Sequence, residues 1–283
     1  MKRISRSSVT SRPALLGAVV LLALTSASVA AADDGPGPLG VTADAAVTRQ
    51  SVRVGALFAA DRADRLAGGH FCTASVVHSS RGDLIVTAAH CVDGPDVDLV
   101  FVRGYRDGRA PYGVWRVTRR FLPDGWAEGR DEDSDLAFAT VAGPDGRHVE
   151  DVVGADRFAT GTATGATVAG PDGRHVEDVV GADRFATGTA TGATAVTVTG
   201  YPDSREVPVR CTNKPAPHSR TQQRIDCPDL AGGTSGSPWV NGDGQVVGVL
   251  GGHEKGGATA DVSYSVVLGG EAAELYRDAS NAS

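Results

Sequence analysis

Two stretches decide the reading: Thr87-Ala88-Ala89-His90-Cys91 and Gly232-Gly233-Thr234-Ser235-Gly236-Ser237-Pro238. In the first, a histidine follows the apolar run Leu84-Ile85-Val86 and precedes a cysteine. In the second, a serine stands among glycines just before Pro238-Trp239. A serine hydroxyl is a poor nucleophile until a base takes its proton and donors hold the oxyanion that forms. A histidine supplies the base, and a glycine-rich turn supplies backbone N–H groups able to converge. Ser237 offers a second hydroxyl close by.

The acid that such a pair needs must hold the imidazole in one tautomer and stabilise its charged form. Asp131-Glu132-Asp133-Ser134-Asp135-Leu136-Ala137-Phe138 offers four carboxylates. Asp135 abuts the apolar run 136–139 and can sit at the start of a buried strand; Asp133 is the runner-up. Asp131, Asp133 and Asp135 also mimic the opening of a calcium loop, but Leu136 stands where that loop needs glycine. The chain order is therefore histidine, acid, serine. An α/β-hydrolase places serine first, within Gly-x-Ser-x-Gly, and position 237 is Ser; a subtilisin-like enzyme places the acid before the histidine.

With these motifs in that order, the chain resembles the trypsin/chymotrypsin-like serine peptidases, in particular their small secreted bacterial branch, from about Val54 onward. The resemblance implies an all-β fold of two six-stranded antiparallel barrels with a C-terminal helix. It implies endopeptidase activity, with His90 as general base, Asp135 as its orienting acid and Ser235 as nucleophile. The N–H groups of Gly233 and Ser235 are then the oxyanion hole, with no metal and no cofactor. An ungapped comparison places Asp229 at the base of the specificity pocket, which implies cleavage after Arg or Lys. Gly251, Gly252 and His253 form another pocket wall, where Gly251 could hydrogen-bond an extended substrate. His253 also keeps acidic substrates open. Vertebrate-type trypsins carry Asp before the nucleophile to receive a new N-terminus, and this chain has Thr234 there. Although Arg53-Val54-Gly55 looks like an activation site, the expectation is a site formed without cleavage there.

The strand pattern agrees. Short apolar runs at 52–59, 71–77, 84–87, 97–102, 114–121 and 136–141 are separated by Gly, Pro, Asp and Asn, and further runs follow at 195–199, 207–211, 237–240, 246–250 and 262–267. Such spacing indicates an all-β barrel or sandwich. Ala272, Leu275, Tyr276 and Ala279 fall on one face of a terminal helix at 271–279.

Of the 283 residues, 1–32 read as a secretory signal peptide: Lys2, Arg3, Arg6 and Arg12 precede an apolar stretch at 14–24 that is too short to favour a membrane span. Removing it deletes four basic and no acidic residues, taking the formal charge from −7 to −11. An acidic secreted chain has no electrostatic footprint for nucleic acid. Four cysteines in such a chain argue for disulfides, with three possible pairings. No Cys-x-x-Cys spacing suggests zinc. The family resemblance implies Cys72–Cys91, clamping the loop of His90; Cys211–Cys227 then closes a short loop upstream of Ser235. Each contributes about 3 kcal/mol by loop-closure entropy. His70 and His78 flank a predicted strand without a metal motif and read as solvated loop residues.

Residues 33–50 lack periodicity and read as a propeptide or disordered tail; 51–141 form the first barrel and 194–283 the second. Between them, 142–193 hold most of a tandem duplication, in which 140–166 and 167–193 are identical. Two copies do not make a solenoid. One copy suffices as the inter-barrel connection, so one of the sets Val149, Val152, Val153, Phe158 and Val176, Val179, Val180, Phe185 lacks a core to enter. The expected partners are polypeptide substrates and protein inhibitors of peptidases, without membrane anchoring, for a monomeric extracellular protein. Two alternatives stay open: a peptidase-like binding protein disabled by the duplication, and a secreted esterase with the same three residues.

Overall fold

A computed structural model describes residues 38–94, 98–143, 147–158 and 194–282. The proposed signal peptide and the second repeat copy lie outside the described residues. No described helix is long and apolar enough to cross a membrane.

Six strands close the first barrel: β2 (Val54–Ala59), β3 (His70–Val77), β4 (Leu84–Thr87), β5 (Leu99–Arg103), β6 (Trp115–Phe121) and β7 (Ala137–Ala142). They follow the order β2-β3-β4-β7-β6-β5, with antiparallel neighbours throughout. Alternate residues fill the interior, among them Cys72, Ala74 and Val76 from β3 and Ala137, Ala139 and Val141 from β7. The opposite faces are also covered. Val54, Ala56 and Phe58 pack in one outer cluster, and Leu84, Val86 and Phe138 in another. Burial on both faces is why these strands read as continuous apolar runs instead of alternating ones.

The strands of the second half fall into two sheets. One sheet runs β1-β10-β9-β13-β14-β8, built from β1 (Thr42–Asp44), β8 (Arg157–Phe158), β9 (Val196–Gly200), β10 (Val209–Asn213), β13 (Pro238–Asn241) and β14 (Gln245–Val249). A second sheet joins β11 (Ala216–Pro217), β12 (Gln222–Asp226) and β15 (Val262–Val266). An isolated bridge from Leu250 to Ser265 links the two, and β8 lies parallel to β14. Trp239, Val196, Val198, Val209 and Ile225 form the core between the sheets.

Residues 38–50 are not a disordered tail. β1 pairs with β10, Ala45 is buried, and the Thr42 hydroxyl donates to the Pro228 carbonyl. Sequence periodicity fails here because a three-residue strand is too short to show it. Among the helices, α1 (Asp124–Gly129) precedes the acid loop and α2 (Val149–Val153) caps the first barrel. α3 (Gly270–Ala282) packs through Ala272, Leu275, Tyr276 and Ala279, the face read from the sequence. Both disulfides, Cys72–Cys91 and Cys211–Cys227, pair as the sequence reading favours.

Candidate active site

His90 lies in the single helical turn Ala89–Cys91 that follows β4. Ala88 and Ala89 are fully buried, and Cys91 is bonded to Cys72 on β3, so the turn is anchored on both sides. Asp135 follows the turn Glu132–Ser134 and immediately precedes the buried Leu136 and β7. Its side chain is 0% exposed. A buried carboxylate is costly unless donors replace its water, and three N–H groups do so. Oδ1 accepts from the His90 backbone at 3.0 Å, and Oδ2 accepts from His90 Nδ1 at 2.7 Å and from the Gly252 backbone at 2.8 Å. Because an ionised carboxylate only accepts, His90 Nδ1 carries the proton and Nε2 presents its lone pair. Asp133, by contrast, is exposed and accepts from Gln222 Nε2 at 2.8 Å.

The serine turn is tied to the first barrel. Thr73 on β3 donates from its backbone to Ser235 O at 2.7 Å and from its hydroxyl to Gly233 O at 3.0 Å. Gly236, with φ 87°, approaches the same strand so closely that a Cβ would lie 2.0 Å from Thr73 O. Ser235 is partly exposed, and its Oγ donates to the Lys255 carbonyl at 3.4 Å and not to His90. Ser237 does not compete with it. It is fully buried, and its hydroxyl donates to Thr234 O at 2.6 Å.

The peptide joining Gly232 and Gly233 has a fixed direction. Gly232 O accepts from Asp203 N at 2.7 Å, and in a trans peptide the following N–H points the opposite way. Among the described residues neither Gly233 N–H nor Ser235 N–H donates to a protein acceptor. Both N–H groups beside the serine are therefore donors available to a substrate oxygen.

The pocket residues are placed less as expected. Asp229 is exposed, with φ 63°, so it is not the buried carboxylate the ungapped comparison implies. Its neighbours explain this: Cys227 N and Leu230 N are bonded to Asp261 O and Ala260 O, both at 2.9 Å. The turn held between those anchors faces Asp229 outward. Asp229→Ser is expected to leave the ranking of cleaved residues unchanged, as measured by profiling a peptide library. Gly251 offers no free N–H to a substrate, since it donates to Tyr264 O at 3.0 Å. Gly252 serves Asp135. The His253 ring sits 4.9 Å from both His218 and Tyr264, and His253 Nδ1 lies 3.4 Å from a Glu132 oxygen.

Three other expectations resolve. His70 is buried instead of solvated, with Nε2 2.8 Å from Pro202 O inside a cluster of aromatic rings, whereas His78 is exposed and pairs with Glu150 at 2.6 Å. Cys72, His90 and Cys91 lie within 4.8 Å of one another, but the two sulfurs are bonded together and offer no thiolate to a metal. Val54 is fully buried as the first residue of β2, and Arg53 pairs with buried Asp156 at 2.6 Å. The Arg53–Val54 bond is thus part of the folded first barrel.

A family model described as a trypsin-like peptidase domain matches residues 72–249, a span that holds His90, Asp135 and Ser235. The chain belongs to the trypsin-like peptidase family. Solved structures with this trypsin-like peptidase fold include protease Anisep from Arthrobacter nicotinovorans, 22% identical with a TM-score of 0.62, over 85% of this chain and 99% of that one. A thermostable serine protease AL20 from an extremophilic microorganism is 24% identical, TM-score 0.60, over 83% and 100%. A Glu endopeptidase is 17% identical, TM-score 0.59, over 87% and 99%. No curated protein sequence matches the chain.

Two parts of this trypsin-like peptidase site have no sequence signal of their own. Thr73 bonds both Ser235 and Gly233, yet nothing marks it except its place after Cys72. Gly252 N–H supports Asp135 because Gly251 lets the loop come close: a Cβ at 251 would lie 2.9 Å from Asp135 Oδ2.

Proposed function

We propose that the chain is a secreted serine endopeptidase working through Ser235, His90 and Asp135. The observation that carries the proposal is the buried Asp135 carboxylate holding His90 by two hydrogen bonds, with Ser235 on the facing turn. Attack requires Ser235 Oγ to leave the Lys255 carbonyl and turn to His90 Nε2. As Oγ bonds to the substrate carbonyl carbon, Nε2 takes its proton and Asp135 stabilises the imidazolium. The carbonyl oxygen gains the negative charge and is held by Gly233 N–H and Ser235 N–H. The C–N bond then breaks, and Nε2 returns the proton to the leaving amine. Water repeats the sequence on the acyl-enzyme and frees Ser235.

Cleavage at Arg53 is not part of this scheme, since Val54 is buried as an internal strand residue. Secretion is supported by the two disulfides, which persist in oxidising compartments, and by the pattern of residues 1–32. The purified protein is expected to cleave an unfolded polypeptide and an activated ester, and His90→Ala to lose both. Ester turnover without peptide cleavage would favour an esterase. No turnover by the folded protein would favour a binding protein on a peptidase fold.

A further inference from the structure

Four successive peptide groups make the turn from Gly232 to Gly236, and the carbonyl of each is held. Gly232 O accepts from Asp203 N–H at 2.7 Å, Gly233 O from the Thr73 hydroxyl at 3.0 Å, Thr234 O from the Ser237 hydroxyl at 2.6 Å and Ser235 O from Thr73 N–H at 2.7 Å. Thr73 thus holds two of the four directly. It reaches a third through the segment that carries Asp203, because Tyr201 N–H donates to Thr73 Oγ1 at 2.9 Å. Thr73 itself is fully buried on β3, beside Cys72 of the disulfide to Cys91. Its carbonyl accepts from the Thr87 hydroxyl at 2.7 Å, three residues before His90.

We propose that Thr73 is a positioning residue for the reaction: its hydroxyl fixes the direction of Gly233 N–H, the donor to the oxyanion, from the barrel that carries His90. The role rests on the peptidase reading of Ser235, His90 and Asp135. In a trans peptide the N–H points opposite the C=O, so whatever holds Gly232 O aims Gly233 N–H. That holder is Asp203 N–H, and its place depends on the segment that begins at Tyr201. The Thr73 hydroxyl ties this segment to the glycine itself. Tyr201 N–H can only donate and Gly233 O can only accept, so the hydroxyl receives from one and gives to the other. Tyr201 and Gly233 are both buried, and without the hydroxyl their backbone groups would be left unpaired or forced to turn toward new partners. A misplacement of about 1 Å at a positioned group is enough to cost a hundredfold in rate.

Two pairs of full-length proteins test this, each pair differing at position 73 in the hydroxyl: the parent against Thr73→Val, and Thr73→Ser against Thr73→Ala. Thr73→Val is expected to lower kcat on a peptide substrate about ten- to a hundredfold, with KM within about threefold of the parent. A peptide aldehyde, whose hemiacetal oxygen takes the oxyanion position, should lose affinity by a similar factor. Thr73→Ser keeps the hydroxyl and is expected to restore kcat to within about threefold of the parent. If Thr73→Val does not fold, the same loss is expected in Thr73→Ala relative to Thr73→Ser. Equal kcat within either pair, or a loss that falls on KM alone, overturns the proposal. A folded parent without turnover would instead defeat the peptidase reading, and amide hydrogen exchange would then decide the positioning role. Tyr201 N–H is expected to exchange at least about tenfold faster in Thr73→Val than in the parent, and equal exchange overturns the role.

Discussion

Asp135→Asn is expected to lower kcat on a peptide substrate about ten-thousandfold while leaving the protein folded. All three partners of this carboxylate are N–H donors: His90 Nδ1, His90 N and Gly252 N. An amide has one acceptor oxygen and one donor NH2. With its oxygen in the Oδ2 position, the NH2 opposes the His90 backbone N–H. With its oxygen in the Oδ1 position, the NH2 opposes Gly252 N–H and forces His90 Nδ1 to give up its proton. The second arrangement moves the proton to Nε2, which can then no longer accept from Ser235. Steady-state kinetics beside a circular-dichroism melt separates this loss from unfolding. A kcat within tenfold of the parent would contradict the role given to Asp135.

Gly233→Ala should cost about a hundred- to a thousandfold in kcat with a smaller change in KM, because a donor to the oxyanion is lost. A Cβ at 233 would lie 2.6 Å from both Asp203 N and Tyr201 O, and the residue has φ 90°. Backbone atoms cannot give way as a side-chain tip can, so the peptide must turn and carry its N–H with it. The neighbouring Gly232 is the control. It is exposed, and its Cβ would meet only the Asp203 carboxylate, at 3.1 Å. Gly232→Ala is expected to keep kcat within about tenfold of the parent. Equal losses at the two positions would mean that loop packing, not the Gly233 N–H, sets the rate.

The parts of the molecule legible in its sequence are those held by apolar burial. β4 and β7 read as apolar runs because both of their faces are covered, and α3 shows its packed face in the spacing of Ala272, Leu275, Tyr276 and Ala279. His90 was legible because its turn is framed by small buried residues and a cysteine. β12 was not, since Gln222 and Gln223 occupy two of its three buried positions and only Ile225 is apolar. Hydrogen bonds offset part of the cost of that burial: Gln223 Nε2 donates to Val247 O at 3.0 Å, and Gln222 Oε1 accepts from His253 N at 2.8 Å, whereas Gln223 Oε1 is buried without a partner among the described residues. Hydropathy cannot register a core position filled in that way. Asp229 illustrates a second limit. Counting residues back from Ser235 locates it along the chain, but the direction of its side chain depends on bonds to Ala260 and Asp261, some thirty residues away. The same holds for Gly252, whose support of Asp135 spans 117 residues.

The most direct test of the central claim is labelling of the purified protein with a fluorophosphonate, with the modified residue located by mass spectrometry. Stoichiometric modification at Ser235, abolished by His90→Ala, is the expected result, because only a serine activated by an adjacent base reacts at such a rate. A folded protein that takes up no label, or one that is labelled equally well after His90→Ala, would contradict the assignment.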